Sequence, residues 1–309
     1  MPDTAMHHAF GQDVKSELPE AIRHGIMDEP YGFALYGPDI WFMYRFWRRR
    51  GQGRGRRMHT TKTGDFLIAL AKRSRDGKNP GASFSYLAGF LCHYALDSTA
   101  HPYIIWRTTE TWPTRRAHRD LEHALDIHLM QKEGTWGGKH PLTDHHFPKL
   151  RLSREMEEDM DAAYGQVYGW RGTVDAMNRC YAIYRMVFRE LEKPRSMLTL
   201  ASRLVSTPGM RSLPHAASAF VDLDVENMTH APWKNPFAPE ETRTESFPEL
   251  YEEAKREAVR MIGDCYAFAR TRSLTEEELR QSLGNRSYFS GLDAEDPRNR
   301  AVPSLCPPD

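Results

Sequence analysis

Apolar residues recur at intervals of three and four through most of the chain, which is the spacing that an amphipathic α-helix produces. In residues 7–28 they are Phe10, Val14, Leu18, Ile22 and Ile26. Pro19 lies inside this stretch and predicts that it is divided into two helices. No run alternates apolar and polar residues in the way that a half-buried strand requires. The pattern therefore predicts an all-α protein.

The same periodicity predicts the remaining helices, which we place near residues 60–75, 82–108, 114–132, 155–169, 172–193, 246–272 and 274–283. The helix near 82–108 is apolar almost all round, which is typical of a central, buried helix. Residues 38–49 predict an aromatic helix that begins at Pro38. The Gly- and Arg-rich segment 51–57 predicts a loop, and the Pro-rich segment 230–245 predicts an irregular connection.

We find no internal repeat and no composition shift that would mark a domain boundary. The sequence therefore predicts one compact multi-helix domain over residues 1–292, followed by a Pro-rich, flexible tail over residues 293–309.

Charge and cysteine content narrow the function classes. The chain has 42 basic and 42 acidic residues, so its global charge gives no argument for nucleic-acid binding. The four cysteines (Cys92, Cys180, Cys265 and Cys306) form no Cys-x2-Cys pair, which excludes a thiolate zinc ribbon. The first residues have no apolar leader, and no segment is long enough to span a membrane. We therefore expect a cytoplasmic protein, and the sequence leaves its oligomeric state open.

The candidate chemistry lies inside the predicted central helix. His93, Asp97 and His101 follow one another at intervals of four, so they form one stripe on the helix surface. The stripe is about 12 Å long, at a rise of about 1.5 Å per residue, which is too long for a single ion. The spacing therefore predicts a multi-metal site with Asp97 between the ions, and the alternative is a hydrogen-bonded polar stripe that lines a cleft.

The next predicted helix repeats this spacing at His118 and Glu122, and facing helices that carry such stripes are a recurrent way to build a metal site. Upstream, Asp39 follows a Gly-Pro turn and His59 lies near the start of a helix. If these two converge with the first stripe, they form a nitrogen and oxygen ligand set that suits Zn²⁺ or another divalent transition metal.

Arginines crowd the segment between Asp39 and His59, at positions 48–50, 54, 56 and 57. They are consistent with attraction of a phosphate headgroup at the site entrance, and equally with an ordinary solvated loop. The segment has no interleaved aromatic residues, so stacking of single-stranded nucleic acid is not supported.

Several motifs together resemble bacterial zinc-dependent phospholipase C, and most closely the branch of that family without a signal peptide. They are Met6–Val14, Tyr36–Ile40, His59–Gly64, Phe90–Tyr103, His118-x3-Glu122, Asn227-x2-His230-x2-Trp233 and Ser287–Leu292. The resemblance implies the helical fold of phospholipase C and the helical zinc nucleases.

The resemblance also implies roles for individual residues. Asp39, His59, His93 and Asp97 match the ligands of a first zinc ion, and His101, His118 and Glu122 match those of a second. His7 matches a histidine that holds a third ion together with Asp97, although here it follows an unprocessed Met-Pro start. Asp39 and Asp13 are the candidates for the general base that activates water.

These expectations favour a metal-dependent phosphoester hydrolase that uses a zinc-activated water and two or three Zn²⁺ ions. Its substrate would be a phosphate-containing small molecule or a lipid headgroup. The alternatives are a nuclease of the helical zinc type and a non-catalytic metal-binding protein on the same scaffold.

Overall fold

The computed structural model describes residues 4–45, 53–110, 117–132, 148–191 and 224–300. These residues are mainly helical, which confirms the all-α class. The helices are α1 (Thr4–Glu17), α2 (Glu20–Arg23), α3 (Asp28–Ala34), α4 (Gly53–Thr60), α5 (Thr63–Asp76), α6 (Pro80–Glu110), α7 (Ala117–Lys132), α8 (Glu157–Tyr168), α9 (Thr173–Leu191), α10 (Phe247–Tyr266) and α11 (Glu276–Leu283). Short 3₁₀ helices cover Gly37–Met43, Arg154–Met156 and Pro297–Arg300, and one π-turn covers Ala267–Thr271.

Helix α6 lies at the centre of the fold and packs against α1, α3, α5, α7 and α10. Its residues from Ala82 to Ile105 are almost all buried, as its unbroken apolar character predicts. The polar stripe of α6 is therefore held inside the protein, where every polar atom needs a partner.

The N-terminal stretch divides where the sequence predicts. Helix α1 ends at Glu17 and α2 begins at Glu20, on either side of Pro19. All five of the apolar residues at helical spacing are buried, so α1 and α2 pack their predicted faces against the core.

Two of the sequence-based predictions for residues 38–57 are wrong. The predicted aromatic helix is a 3₁₀ helix that ends at Met43, and residues 46–49 lie outside the described residues. Residues 53–57 are not a loop, because α4 begins at Gly53. The cause is visible at Gly55, where a Cβ atom would stand 2.8 Å from the ring of Phe42. Glycine here permits close helix packing, whereas the sequence pattern suggested a flexible loop.

The Pro-rich connection also holds regular structure. Strands β1 (Trp233–Asn235) and β2 (Ala238–Arg243) form an antiparallel hairpin. The buried indole of Trp233 packs edge-on against Tyr103 of α6, with ring centroids 5.5 Å apart. β1 has only three residues and β2 is mostly exposed, so neither shows the alternation that would have predicted it.

After α11 the chain folds back over α6 as a tight turn, Ser287–Gly291, which we call the strap. The amide of Gly291 donates to the carbonyl of Ser287. Residues 293–300 continue with defined contacts, since the side chain of Asn299 binds both Ser290 and the backbone of Asp293. The predicted tail therefore begins with hydrogen-bonded residues, and residues 301–309 lie outside the described part.

No helix among the described residues combines the length and apolar character needed to cross a membrane. Cys92, Cys180 and Cys265 are free and buried, and Cys306 lies outside the described residues.

Candidate metal centre

Three groups of potential metal ligands lie side by side along α6. Their ligand atoms come within 4.8 Å of one another in each group. The groups are Asp39, His59 and His93, then His7, His93 and Asp97, and finally His101, His118 and Glu122. All eight side chains that the sequence predicts as ligands are therefore brought together.

Asp97 lies at the junction of these groups. Its Oδ2 atom is 3.2 Å from Nε2 of His93 and 3.8 Å from Nδ1 of His101, and its Oδ1 atom is 3.3 Å from Nε2 of His7. Nε2 of His59 lies 3.9 Å from Oδ2. A carboxylate so placed can bind ions on both sides, as the spacing along the helix predicts.

The third group is built from α6 and α7 alone. Nε2 of His118 lies 2.8 Å from Oε1 of Glu122, and Nε2 of His101 lies 3.6 Å from the same oxygen. The imidazoles of His101 and His118 stack at 5.3 Å. The side chain of His118 is 26% exposed, whereas that of His101 is fully buried, so this end of the centre opens towards solvent.

Backbone carbonyls orient three of the histidines. The Nδ1 atoms of His59, His93 and His101 lie 2.8–3.0 Å from carbonyl oxygens of Gly55, Leu35 and Tyr288 respectively. A carbonyl oxygen only accepts, so Nδ1 carries a proton in each ring, and in the neutral imidazole the lone pair is on Nε2. This arrangement is the usual support for a metal-binding histidine.

The carbonyl of Leu35 is available because it belongs to the C-cap of α3, where helical partners run out. The chain then turns at Gly37, whose φ is +45° and where a Cβ atom would stand 2.4 Å from Cγ of His93. Glycine satisfies both constraints, which places the backbone directly against the His93 ring.

His7 is held through the start of α1. The carboxylate of Asp126 on α7 accepts hydrogen bonds of 3.0 Å from the amides of Ala5 and Met6. These are unpaired donors of the first helical turn, so Asp126 fixes the end of α1 electrostatically as well. The ring of His7, one residue further on, stacks on His93 at 3.9 Å.

Burial and charge set the protonation of the centre. Burial lowers the pKa of His7 and lowers that of His101 well below its ordinary value. Burial also opposes a charge on His93, but the carboxylates of Asp97 and Asp39 outweigh it and raise the pKa of that ring. Burial alone would raise the pKa of Asp97, yet His93 and His101 hold it well below the usual carboxyl range. The centre therefore keeps an ionised carboxylate among imidazoles.

Unsatisfied polar atoms show that this donor set fits a cation. Nε2 of His93, Oδ1 of Asp39, both oxygens of Asp97 and both nitrogens of His7 are buried without a hydrogen bond of good geometry. A purely hydrogen-bonded stripe would leave few such atoms, because each costs free energy when buried. Imidazole nitrogens and carboxylate oxygens without thiolates are a donor set suited to Zn²⁺.

Asp13, the second general-base candidate, is not brought to the centre. Its side chain is exposed and accepts a 2.7 Å hydrogen bond from the hydroxyl of Tyr251. Asp39 is buried, and its Oδ1 atom is 3.1 Å from Nε2 of His59.

Arg54 belongs to the arginine-rich segment, but it acts neither as a headgroup contact nor as part of a solvated loop. The guanidinium of Arg54 packs over the rings of Tyr44 and Trp170, at 3.8 and 4.4 Å from their centroids. It braces α4, which carries His59, through cation–π contacts. Arg48–Arg50 and the histidines at 140, 145 and 146 lie outside the described residues.

Sequence reasoning missed the supports of the centre more than its ligands. It gave no role to the carbonyls of Leu35 and Tyr288, to the capping carboxylate of Asp126 or to the ring of Phe289. Phe289 lies 5.2 Å from His59 and 5.3 Å from His101, measured between ring centroids. Only the resemblance of Ser287–Leu292 to a known motif marked this segment at all.

Comparison with known proteins gives one result. A family model described as zinc dependent phospholipase C matches residues 6–174, which is more than half of the chain and includes every residue of the three groups. No curated protein and no solved structure matches the chain.

Proposed function

The chain belongs to the zinc-dependent phospholipase C family, and from that premise we propose that it is a zinc-dependent phosphoester hydrolase. The observation that carries the proposal is the set of buried imidazole and carboxylate atoms around Asp97, several of them without a hydrogen bond.

We assign the ligands by group. Asp39, His59, His93 and Asp97 hold one ion, and His101, His118 and Glu122 hold a second. His7 and Asp97 contribute to a third, and their ligand atoms lie within 4.8 Å of each other. The distance of 3.3 Å between Nε2 of His7 and Oδ1 of Asp97 supports this third assignment.

Bound zinc supplies an acidified water and neutralises charge on the phosphoryl oxygens. The residues of the chain orient the ligands and maintain the charge of the centre. The carbonyls of Gly55, Leu35 and Tyr288 keep the three imidazoles in the tautomer that presents Nε2. Asp97 keeps its negative charge at the junction of the groups, and burial around α6 separates the His93 end from bulk solvent.

We assign proton acceptance from the attacking water to Asp39. Its carboxylate is buried beside His59 and His93, with Oδ1 at 3.1 and 3.9 Å from their Nε2 atoms. A base must lie within hydrogen-bonding reach of the water that it activates, and the exposed Asp13 lies elsewhere on α1.

The test is hydrolysis of bis-p-nitrophenyl phosphate by the full chain purified with added Zn²⁺. We expect turnover that dipicolinic acid abolishes and zinc restores, together with at least two zinc ions per chain by elemental analysis. Parallel assays with phosphatidylcholine vesicles and single-stranded DNA distinguish a phospholipase C from a nuclease. Zinc-loaded protein that cleaves none of the three substrates contradicts the proposal and leaves a metal-binding role.

A further inference from the structure

The strap packs against the metal centre, although its residues lie outside the part of the sequence that matches the family model. The backbone of Tyr288 contacts His59 of α4 and His101 of α6, which belong to different ligand groups. Its amide donates to the carbonyl of His59 at 3.1 Å, and its carbonyl accepts from Nδ1 of His101 at 3.0 Å. The next residue in the chain is Phe289, whose position is therefore tied to both histidines.

The ring of Phe289 covers these two histidines. It stacks on His59 with an angle of 19° between the planes, and it meets His101 at 56°. Both imidazoles are completely buried, whereas Phe289 is only partly buried. Phe289 is therefore the more exposed partner in both contacts, and His101 also stacks on the partly exposed His118.

The strap holds this ring in a fixed place. The amide of Phe289 donates to Oγ of Ser287 at 3.3 Å, and the carbonyl of Ser290 accepts from Asn235 of the hairpin at 2.8 Å. Gly291 has φ +69°, and a Cβ atom there would stand 2.5 Å from the carbonyl oxygen of Ser98. That carbonyl lies one turn before Pro102, which has no amide to donate to it. The Ser98 carbonyl, which lacks its partner within α6, thus faces the strap backbone.

A rigid aromatic ring at the open side of a metal centre offers contact area at little entropic cost. Phe42, also partly buried, lies 5.2 Å from the His59 ring between centroids. Aromatic surface therefore flanks His59 in two directions, which favours an apolar group over a charged one beside the phosphate.

We propose that Phe289 is a specificity-determining residue whose ring contacts an apolar ester group of a substrate bound at the centre. The inference rests on the proposed function in one respect, which is that a phosphate or phosphonate group holds the substrate at the metal centre. It assigns the substrate class as phosphoesters whose ester group is apolar.

The test is calorimetric binding of phenylphosphonate and methylphosphonate to the zinc-loaded full chain. We expect the phenyl compound to bind about tenfold more tightly, since one aromatic contact is worth up to that factor. Phe289→Leu should reduce this preference to about twofold and leave methylphosphonate binding unchanged, while Phe289→Tyr should retain it. Phe237→Leu, a matched change in the hairpin, should alter neither compound.

An unchanged preference in Phe289→Leu overturns the inference. So does loss of zinc from that variant, because the ring would then support the ligands instead of contacting the substrate. The proposed function fails separately. A wild-type chain that prefers phenylphosphonate through Phe289 but hydrolyses no phosphoester would contradict the hydrolase assignment and leave the binding role of the ring intact.

Discussion

The two ends of the α6 stripe are built in different ways. At the His93 end, the partners Asp39 and His59 come from separate short helices, and all three side chains are at least 96% buried. At the His101 end, the partners His118 and Glu122 lie one turn apart on α7. The first end depends on tertiary packing over a long stretch of chain, and the second depends mainly on one pair of helices.

From this difference we expect the two ends to have different roles, one in holding an ion and the other in admitting the substrate. Ligands at the His93 end are fixed by the core and by the 3₁₀ helix, so we expect that end to retain its ion tightly. The His101 end opens through His118, so we expect it to exchange its ion and to admit the substrate. Asp97 joins both ends, and a change there should affect the whole centre.

The largest effect is therefore expected for Asp97→Asn. The amide keeps the size of the side chain but removes the charge that both ends share. We expect zinc content to fall below one ion per chain and turnover of bis-p-nitrophenyl phosphate to fall by about a thousandfold, since metal-based charge stabilisation is worth several kcal/mol. Elemental analysis and initial rates measure the two quantities.

Asp65→Asn is the matched control for that change, because Asp65 is an exposed aspartate on α5 that pairs with Arg280. It should keep both zinc and turnover. If Asp97→Asn retains its full zinc content and rate, the two ends are independent and Asp97 does not bridge them.

The contrast between the ends is tested directly by His118→Ala and His93→Ala. We expect His118→Ala to lose one ion and about a hundredfold in rate, since it removes one ligand from the open end. His93→Ala should lose more than one ion, because His93 belongs to two of the three groups. Equal zinc loss in the two variants would argue against the division into a buried end and an open end.

The packing of the His93 end is tested by Gly37→Ala. Gly37 and Gly169 both have positive φ, but a Cβ atom at Gly169 would meet nothing within 4 Å. Gly169→Ala should cost about 1 kcal/mol of unfolding free energy from backbone strain. Gly37→Ala should cost about 1–3 kcal/mol more, because the methyl group displaces His93.

Chemical denaturation of the two glycine variants gives the comparison, and their zinc content gives a second reading. We expect only Gly37→Ala to bind zinc more weakly. Equal unfolding free energies would mean that the 3₁₀ turn relaxes away from His93, and that the buried end is less rigid than its contacts indicate.

The sequence predicted the convergence of the candidate ligands better than it predicted their supports, and the reason is physical. His93, Asp97 and His101 share one helix face, so their alignment follows from a fixed rise and twist. Their order along the chain also matches a known family. The stripe on α6 and its pair on α7 were therefore predictable without tertiary structure.

The supports depend on contacts between distant segments, which periodicity does not encode. The carbonyl of Leu35 reaches His93 across 58 positions, and that of Tyr288 reaches His101 across 187. Any residue type can present a carbonyl, so no side-chain signal marks these positions. The same limit explains α4, where Gly55 serves close packing in a segment whose composition predicts a loop.

The smallest expected effect distinguishes the two general-base candidates. Asp13→Asn removes only the charge that faces Tyr251 at the surface, so we expect the rate to change by less than about twofold. Asp39→Asn removes a buried carboxylate beside His59 and His93 and should lower kcat by at least about a hundredfold. Because Asp39 is also assigned as a ligand, zinc content must be measured in both variants. A rate loss in Asp39→Asn with zinc fully retained identifies proton acceptance, whereas a parallel loss of zinc identifies ligation. A strong effect of Asp13→Asn at full zinc content would place the base on α1 and would contradict the assignment to Asp39.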